Sequence, residues 1–427
     1  MTFKSLLCSA TAAALTLGTA HAATITINAG GSSLAAPSYI AMFENYTNAH
    51  PTVLWNFEAV GSGGGQKAFL NNDITQFENV PAGTLTYGTI VGTQVDMGAS
   101  DAALSATQLT NPATGSYANS SVDGPLIQVP TFATPITIPY NESAQTAALK
   151  LTDAQLCGVL SGKITDWHSL NSKIPAGTTI EVIYRSDSSG TTFLLTQHLN
   201  AVCTSANSSF PTLPVPVTKY FFSTTASNNP VFLTTPPPNF TGESGSANVA
   251  AQAVATSASF TYLSPDYTSI APNSANTTSL KVASLVNASN NTAYQPSVAN
   301  VKLALGHAGS TSTNAAPPST KTAAMNPLNW VPLIPTTTQG YPIVGFTTME
   351  LSSCYANKSA GSAIISLMTN MYGSAYASII TNNGFVQVGN TANSQYVTAI
   401  KADFLGNSSG YGLNIDNSST CSSYAGR

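Results

Sequence analysis

Apolar and polar positions along the chain fall into blocks, and one order of blocks recurs four times. An apolar, β-rich run is followed by a loop of Gly, Ser, Thr or Asp, and then by apolar positions at helical spacing. The first copy runs from residues 24–28 through Gly30-Gly31-Ser32-Ser33 into a helix predicted from about Ala36, with Ile40 and Phe43 on its inner face. Pro37 suits the first turn of that helix, where a missing N–H costs nothing. The second is residues 53–60, then Gly61-Ser62-Gly63-Gly64-Gly65, then a helix over 66–70. A third runs from residues 95–97 through Gly98-Ala99-Ser100-Asp101 into a short helix predicted around Leu104. The fourth joins residues 180–184 to Arg185-Ser186-Asp187-Ser188-Ser189-Gly190-Thr191-Thr192 and a helix carrying Leu195 and Leu199. Another helix, over 152–160, opens with Thr152 and Gln155 as a capping box. Strands alternating with helices predict an α/β architecture.

Ligands of such folds sit beyond the carboxyl ends of the strands, where the first turns of helices present unpaired N–H groups and a positive dipole end. That environment suits an anion. Ser and Thr add hydroxyl donors without adding charge. Taken singly, each loop reads as an ordinary turn or N-cap. Four of them together, one holding an arginine, point to a small bound oxyanion. Other templates fail on particular residues. Gly61 to Lys67 looks like a phosphate-binding P-loop, but Gln66 stands where the second Gly belongs and Ala68 where Ser or Thr should follow. Gly406-Asn407-Ser408-Ser409-Gly410 matches a nucleophile-elbow string, yet that fold needs a later His and the last one here is His307.

Composition narrows the class. Of 427 residues 43% are hydrophobic and only 7% charged, against about 25% charged in an ordinary soluble domain. A large core is therefore possible and wholesale disorder is not expected. At roughly 150 residues per domain, two or three domains are expected. A net charge of −4 with 13 Lys+Arg gives no phosphate-backbone footprint, so no nucleic-acid partner is expected. Lys4, the apolar run over residues 6–17 and Ala20-His21-Ala22 read as a signal peptide over residues 1–22, which places the mature chain outside the cytoplasm. No later apolar stretch approaches the ~20 residues of a membrane span. Loss of Cys8 leaves Cys157, Cys203, Cys354 and Cys421, an even count that predicts two disulfides with three possible connectivities. No CxxC pair exists and His50, His168, His198 and His307 are scattered, so no metal site is expected.

The loops carry a resemblance. Gly31-Ser32-Ser33-Leu34-Ala35-Ala36-Pro37, Gly61-Ser62-Gly63-Gly64-Gly65, Gly98-Ala99-Ser100-Asp101-Ala102 and the run from Arg185 to Phe193 resemble, in order, the signature loops of periplasmic phosphate-binding proteins of the PstS type. Leu160-Ser161-Gly162-Lys163-Ile164 with Trp167, and Tyr341-Pro342-Ile343-Val344-Gly345, add to it. The resemblance implies a two-lobed α/β fold of the type II-like, Venus-flytrap kind with a two-segment hinge. Lobe one would be residues 24–133 plus 340–427, and lobe two residues 134–339. The chain would cross near 131–135 and return near 338–342, with long irregular polar loops near 221–245 and 265–321. The pairing Cys157–Cys203 and Cys354–Cys421 then keeps each bridge within one lobe.

The same resemblance implies that phosphate is held by Ser33, by the backbone N–H of Leu34 (often an aromatic in the family), and by Ser62, Ser189, Gly190 and Thr191. Arg185 would be the sole cation, oriented by Asp187, and Asp101 would accept a hydrogen bond from the ligand. Phosphate near neutral pH still carries a proton to donate. Sulfate carries none and would leave a buried carboxylate facing a like charge, a cost of several kcal/mol by the usual order of magnitude. The expected function is a monomeric, cofactor-free solute-binding protein that captures inorganic phosphate for an inner-membrane ABC permease, periplasmic or alternatively secreted, and not an enzyme. Two rivals are a secreted phosphatase on the same fold and a secreted or surface protein that scavenges phosphate or adheres. The scarcity of charge also predicts tolerance of acid, because few carboxylates means few pH-linked losses of stability.

Overall fold

The computed structural model describes residues 24–78, 80–272 and 280–427. The expected leader over 1–22, with Cys8, lies outside the described residues. The first sheet has the strand order β15-β5-β14-β4-β1-β2-β3. Its strands β1 (Ile25–Gly31), β2 (Val53–Glu58) and β4 (Met97–Ser100) run parallel, with Ile25 opposite Val53 and Ala29 opposite Met97. β3 (Thr86–Tyr87) closes one edge. The other half is antiparallel and built from β5 (Leu126–Pro135), β14 (Val344–Ser352) and β15 (Val386–Gln387). Every residue of β5 and β14 is buried, as expected of strands covered on both faces.

A second sheet has the order β11-β6-β10-β8-β9. It contains β6 (Pro139–Asn141), β8 (Glu181–Arg185), β9 (Phe240–Glu243), β10 (Ser259–Thr261) and β11 (Lys281–Val282), with β8 parallel to both neighbours. A small third sheet joins β7 (Lys150–Leu151), β12 (Ser284–Asn287) and β13 (Thr292–Tyr294). The first sheet thus draws on chain before Pro135 and after Val344, and the other two draw on the chain between.

Helices fill the connections: α1 (Ala36–Ala49), α2 (Gly61–Asn71), the single turn α3 (Ser120–Asp123), α4 (Asp153–Leu160), α5 (Gly190–Val202), α6 (Ser246–Ala255), α7 (Val298–Leu305), the short α8 (Lys321–Ala324) and α9 (Lys358–Met371). In α1 the buried Tyr39, Met42, Phe43 and Tyr46 fall at i, i+3, i+4 and i+7, and Phe43 stacks on Trp55 of β2 at 4.6 Å between ring centroids. Thr152 caps α4 in the expected box with Gln155. The disulfides are Cys157–Cys203 and Cys354–Cys421, the expected pairing; the first ties α4 to the end of α5. No helix among the described residues is long and apolar enough to cross a membrane.

Three local expectations are corrected. No helix forms around Leu104, whose N–H instead goes to Gln128 Oε1 at 2.9 Å; only a 3-10 turn follows, at Ala106–Gln108. The glycine run at 61–65 is not a loop before a helix but the first turn of α2 itself. The segments 221–245 and 265–321 are not simply irregular, since they carry β9, β11, β12, β13 and α7. In α7 the buried Val301, Ala304 and Leu305 supply a helical stripe that the surrounding polar residues mask in the sequence.

Candidate functional site

The four polar loops converge. Beyond the end of β1, Ser32 Oγ donates to Asp101 Oδ1 at 2.6 Å. From the first turn of α2, Ser62 Oγ donates to Asp101 Oδ2 at 3.1 Å and accepts the Asp101 N–H at 2.9 Å. Asp101 follows β4 and is 2% exposed. Burial pushes its pKa up to about 6, while the Ser32 and Ser62 hydroxyls and the Arg185 charge pull it back. Gln66, the residue that spoils the P-loop reading, braces this loop by donating to Ser100 Oγ and to the Ala102 carbonyl at 3.0 and 2.6 Å.

The second sheet supplies the cation. Arg185 ends β8, is 1% exposed, and forks onto Asp187 through Nε–Oδ1 at 2.7 Å and Nη2–Oδ2 at 2.5 Å. Burial opposes its charge, but Asp187, with Tyr262 and Asp101, holds its pKa above the usual arginine value. Its Nη1 donates to Thr191 Oγ1 at 3.3 Å and to Ser246 Oγ at 3.0 Å. Asp187 is steadied by the Gly245 N–H at 3.0 Å. The pair is therefore a geometrically fixed unit with a buried guanidinium and a half-buried carboxylate, rather than a fully exposed ion pair.

Helix α5 starts at the junction. Ser189 is its N-cap, accepting the Thr192 N–H at 3.2 Å. A Cβ at Gly190 would sit 2.3 Å from Ser62 Oγ and 2.6 Å from Asp101 Oδ2, so only glycine lets the helix start this close to the carboxylate. The Gly63 N–H reaches the Ser188 carbonyl at 2.9 Å, which binds the first turn of α2 to the Arg185 loop. Across from them Ser33 Oγ lies 3.2 Å from Ser246 Oγ and accepts the Ser246 N–H at 3.2 Å. Tyr267 donates to the Ser33 carbonyl at 2.9 Å and Ser264 to the Leu34 carbonyl at 3.1 Å.

All of the expected ligand-binding residues, Ser33, Leu34, Ser62, Asp101, Arg185, Asp187, Ser189, Gly190 and Thr191, thus gather around one junction between the two larger sheets. Asp101 does not cap a helix, since none begins there. A second cation lies beside this junction, where Lys219 Nζ donates to Gln66 Oε1 at 2.5 Å and the Lys219 carbonyl takes the Ser189 N–H at 2.9 Å. Burial lowers the Lys219 pKa, against the pull of the Glu350 charge. The sequence reading also does not reach Ser32 as the partner of Asp101, nor Ser246. The signal for Ser246 was present as Glu243-Ser244-Gly245-Ser246 between β9 and α6, a fifth strand, polar loop and helix.

Comparison with known proteins gives a consistent set of relatives. Residues 17–304 match the PBP superfamily domain. Alkaline phosphatase L of Pseudomonas aeruginosa (strain UCBPP-PA14) is 35% identical over 377 residues, covering 85% of this chain and 85% of the relative. A phosphate-binding protein from an unknown prokaryotic organism is 32% identical, covering 92% and 98%. Among solved structures, a high-affinity periplasmic phosphate-binding protein, PfluDING, bound with phosphate, superposes with a TM-score of 0.71 at 31% identity, covering 94% of this chain and 99% of that one.

Proposed function

The chain belongs to the PBP superfamily, and from that premise we propose that it is a solute-binding protein that captures inorganic phosphate between two lobes. The observation that carries this reading is Asp101, a buried carboxyl clasped by two serine hydroxyls directly against the start of α5 and facing the Arg185–Asp187 unit. A proton acceptor and a cation brought together from different sheets suit a tetrahedral anion that still carries a proton. Arg185 would supply the charge and Asp187 fix its plane. Ser33, Ser189 and Thr191 would donate hydroxyls, Ser62 would reach the ligand only by turning its one hydroxyl proton away from Asp101, and the N–H groups of Leu34 and Gly190 would complete the shell at two helix starts. Asp101 would accept the ligand's proton and turn sulfate away.

Lobe one would be residues 24–133 plus 340–427 and lobe two residues 134–339, hinged where β5 ends and where the chain returns toward β14. Ligand contacts from both lobes would favour their closed arrangement. Delivery to an inner-membrane ABC permease from the periplasm, by a monomer, follows from the same reading. Calorimetric titration of ligand-stripped protein with phosphate and then sulfate tests it. Tight one-to-one phosphate binding without sulfate heat is expected, and folded protein that binds no phosphate overturns it.

A phosphatase reading is favoured only by the name of the relatives that are 35% identical. Release of p-nitrophenol from its phosphate ester by the pure protein, abolished in Ser62→Ala, would restore that reading.

A further inference from the structure

We propose that Ser246 is a positioning residue that fixes the direction of the Ser33 hydroxyl, so that Ser33 can meet the bound anion only as a donor; this rests on the phosphate-site reading above. The direction starts at Arg185. A guanidinium has donors and no acceptor, so the 3.0 Å contact from Arg185 Nη1 makes Ser246 Oγ the acceptor. The Ser246 hydroxyl has one proton of its own, and Ser33 Oγ lies 3.2 Å away to receive it. Ser33 Oγ also accepts the backbone N–H of Ser246 at 3.2 Å. A hydroxyl oxygen has two acceptor sites and one proton. With both acceptor sites taken by Ser246, the Ser33 proton is left to point elsewhere.

The opposite direction is disfavoured. If Ser33 donated to Ser246, its oxygen would turn a lone pair toward an anion in a site where water cannot compensate. Ser33, Arg185 and Ser246 are 3%, 1% and 0% exposed. The chain of donors from Arg185 through Ser246 to Ser33 is also polarised in one sense, which strengthens each link. Because Ser33 follows β1 of the first sheet while Arg185 ends β8 and Ser246 follows β9 of the second, the relay exists only when the two sides meet. Closure and donor orientation are thereby the same event.

The test is a double-mutant cycle on phosphate affinity, with ligand-free melting temperature measured alongside. Ser246→Ala is expected to weaken phosphate binding about tenfold, the size of one lost hydrogen bond. Ser246→Thr, which keeps the hydroxyl, is expected to stay within about threefold of wild type on the same scale. In a Ser33→Ala background Ser246→Ala should cost less than about twofold, because the group it acts through is gone. An equal loss in both backgrounds, or a loss matched by a fallen melting temperature and not rescued by threonine, overturns the relay. No loss in either background also overturns it. Wild-type protein that binds no phosphate overturns the functional reading instead, and that result appears before any substitution is made.

Discussion

A carboxylate clasped by two serine hydroxyls has room for one more hydrogen bond only from a ligand that brings a proton. On the phosphate-binding reading proposed above, selectivity would rest on Asp101 rather than on the number of donors around it. Asp101→Asn replaces an acceptor with an amide that also donates, so phosphate affinity is expected to fall by about 10- to 100-fold, as for a hydrogen bond to a charged group worth roughly 1.5–3 kcal/mol. Sulfate binding should appear at the same time, read by competitive titration. A variant that still excludes sulfate would move the filter elsewhere. At this scale much of the site was legible, because Asp101, Arg185, Ser62 and Gly190 each sit in a short run whose local pattern announces a polar loop beside a helix. Ser246 sits in a run of the same kind, but its role also depends on β9 pairing parallel to β8, with Tyr184 opposite Gly242. Nothing local in a Ser- and Pro-rich stretch reveals that pairing.

Helix α5 shows how one element carries the site between two fixed ends. Its first turn abuts Asp101 through Gly190, and its far end is tied to α4 by Cys157–Cys203. Gly190→Ala should leave α5 itself formed, since alanine is the better helix former, while the crowding at its first turn lowers stability by about 1–3 kcal/mol. The alanine Cβ would sit 2.3 Å from Ser62 Oγ, so α5 must retreat from the carboxylate. Phosphate binding is then expected to be lost, with no phosphate-dependent contraction in small-angle scattering. The paired substitution Cys157→Ser with Cys203→Ser should separate stability from binding. It is expected to lower unfolding stability by roughly 2–4 kcal/mol in denaturant titrations. Phosphate affinity should barely change, because the start of α5 is held by the Ser189 cap and the Lys219 carbonyl. The amphipathic elements were readable where apolar spacing ran long enough, as in α1 and α5. The helix expected at Leu104 failed because Gln128 captured its backbone N–H, a contact from a strand more than twenty residues away.

For the whole molecule the scarcity of charge matters less than where the few carboxyls lie. Counting them predicts only that acid should do little harm. Their placement adds a sign that no count contains. Burial raises the pKa of Asp101 to about 6, of Glu58 and Asp96 to about 7, and of Glu350 to about 8, with Asp266 and Asp403 shifted the same way. The lowered ones, Asp73 and Asp166, are held by hydrogen bonds at the surface. A folded state that holds a proton more tightly than the unfolded chain, whose carboxyls titrate near 4, gains stability that is complete below about pH 4. That gain is lost as pH rises through the folded values, between about 6 and 8 for the groups named. The ligand-free protein is therefore expected to melt higher at about pH 5 than at about pH 8, opposite to a protein whose carboxylates are paired with cations. Scanning calorimetry across that range checks it, and a melting temperature that falls on acidification would mean these carboxyls are ionised in the fold. Phosphate should narrow the difference, because a ligand that hydrogen-bonds to ionised Asp101 adds most stability at the pH where burying that charge costs most.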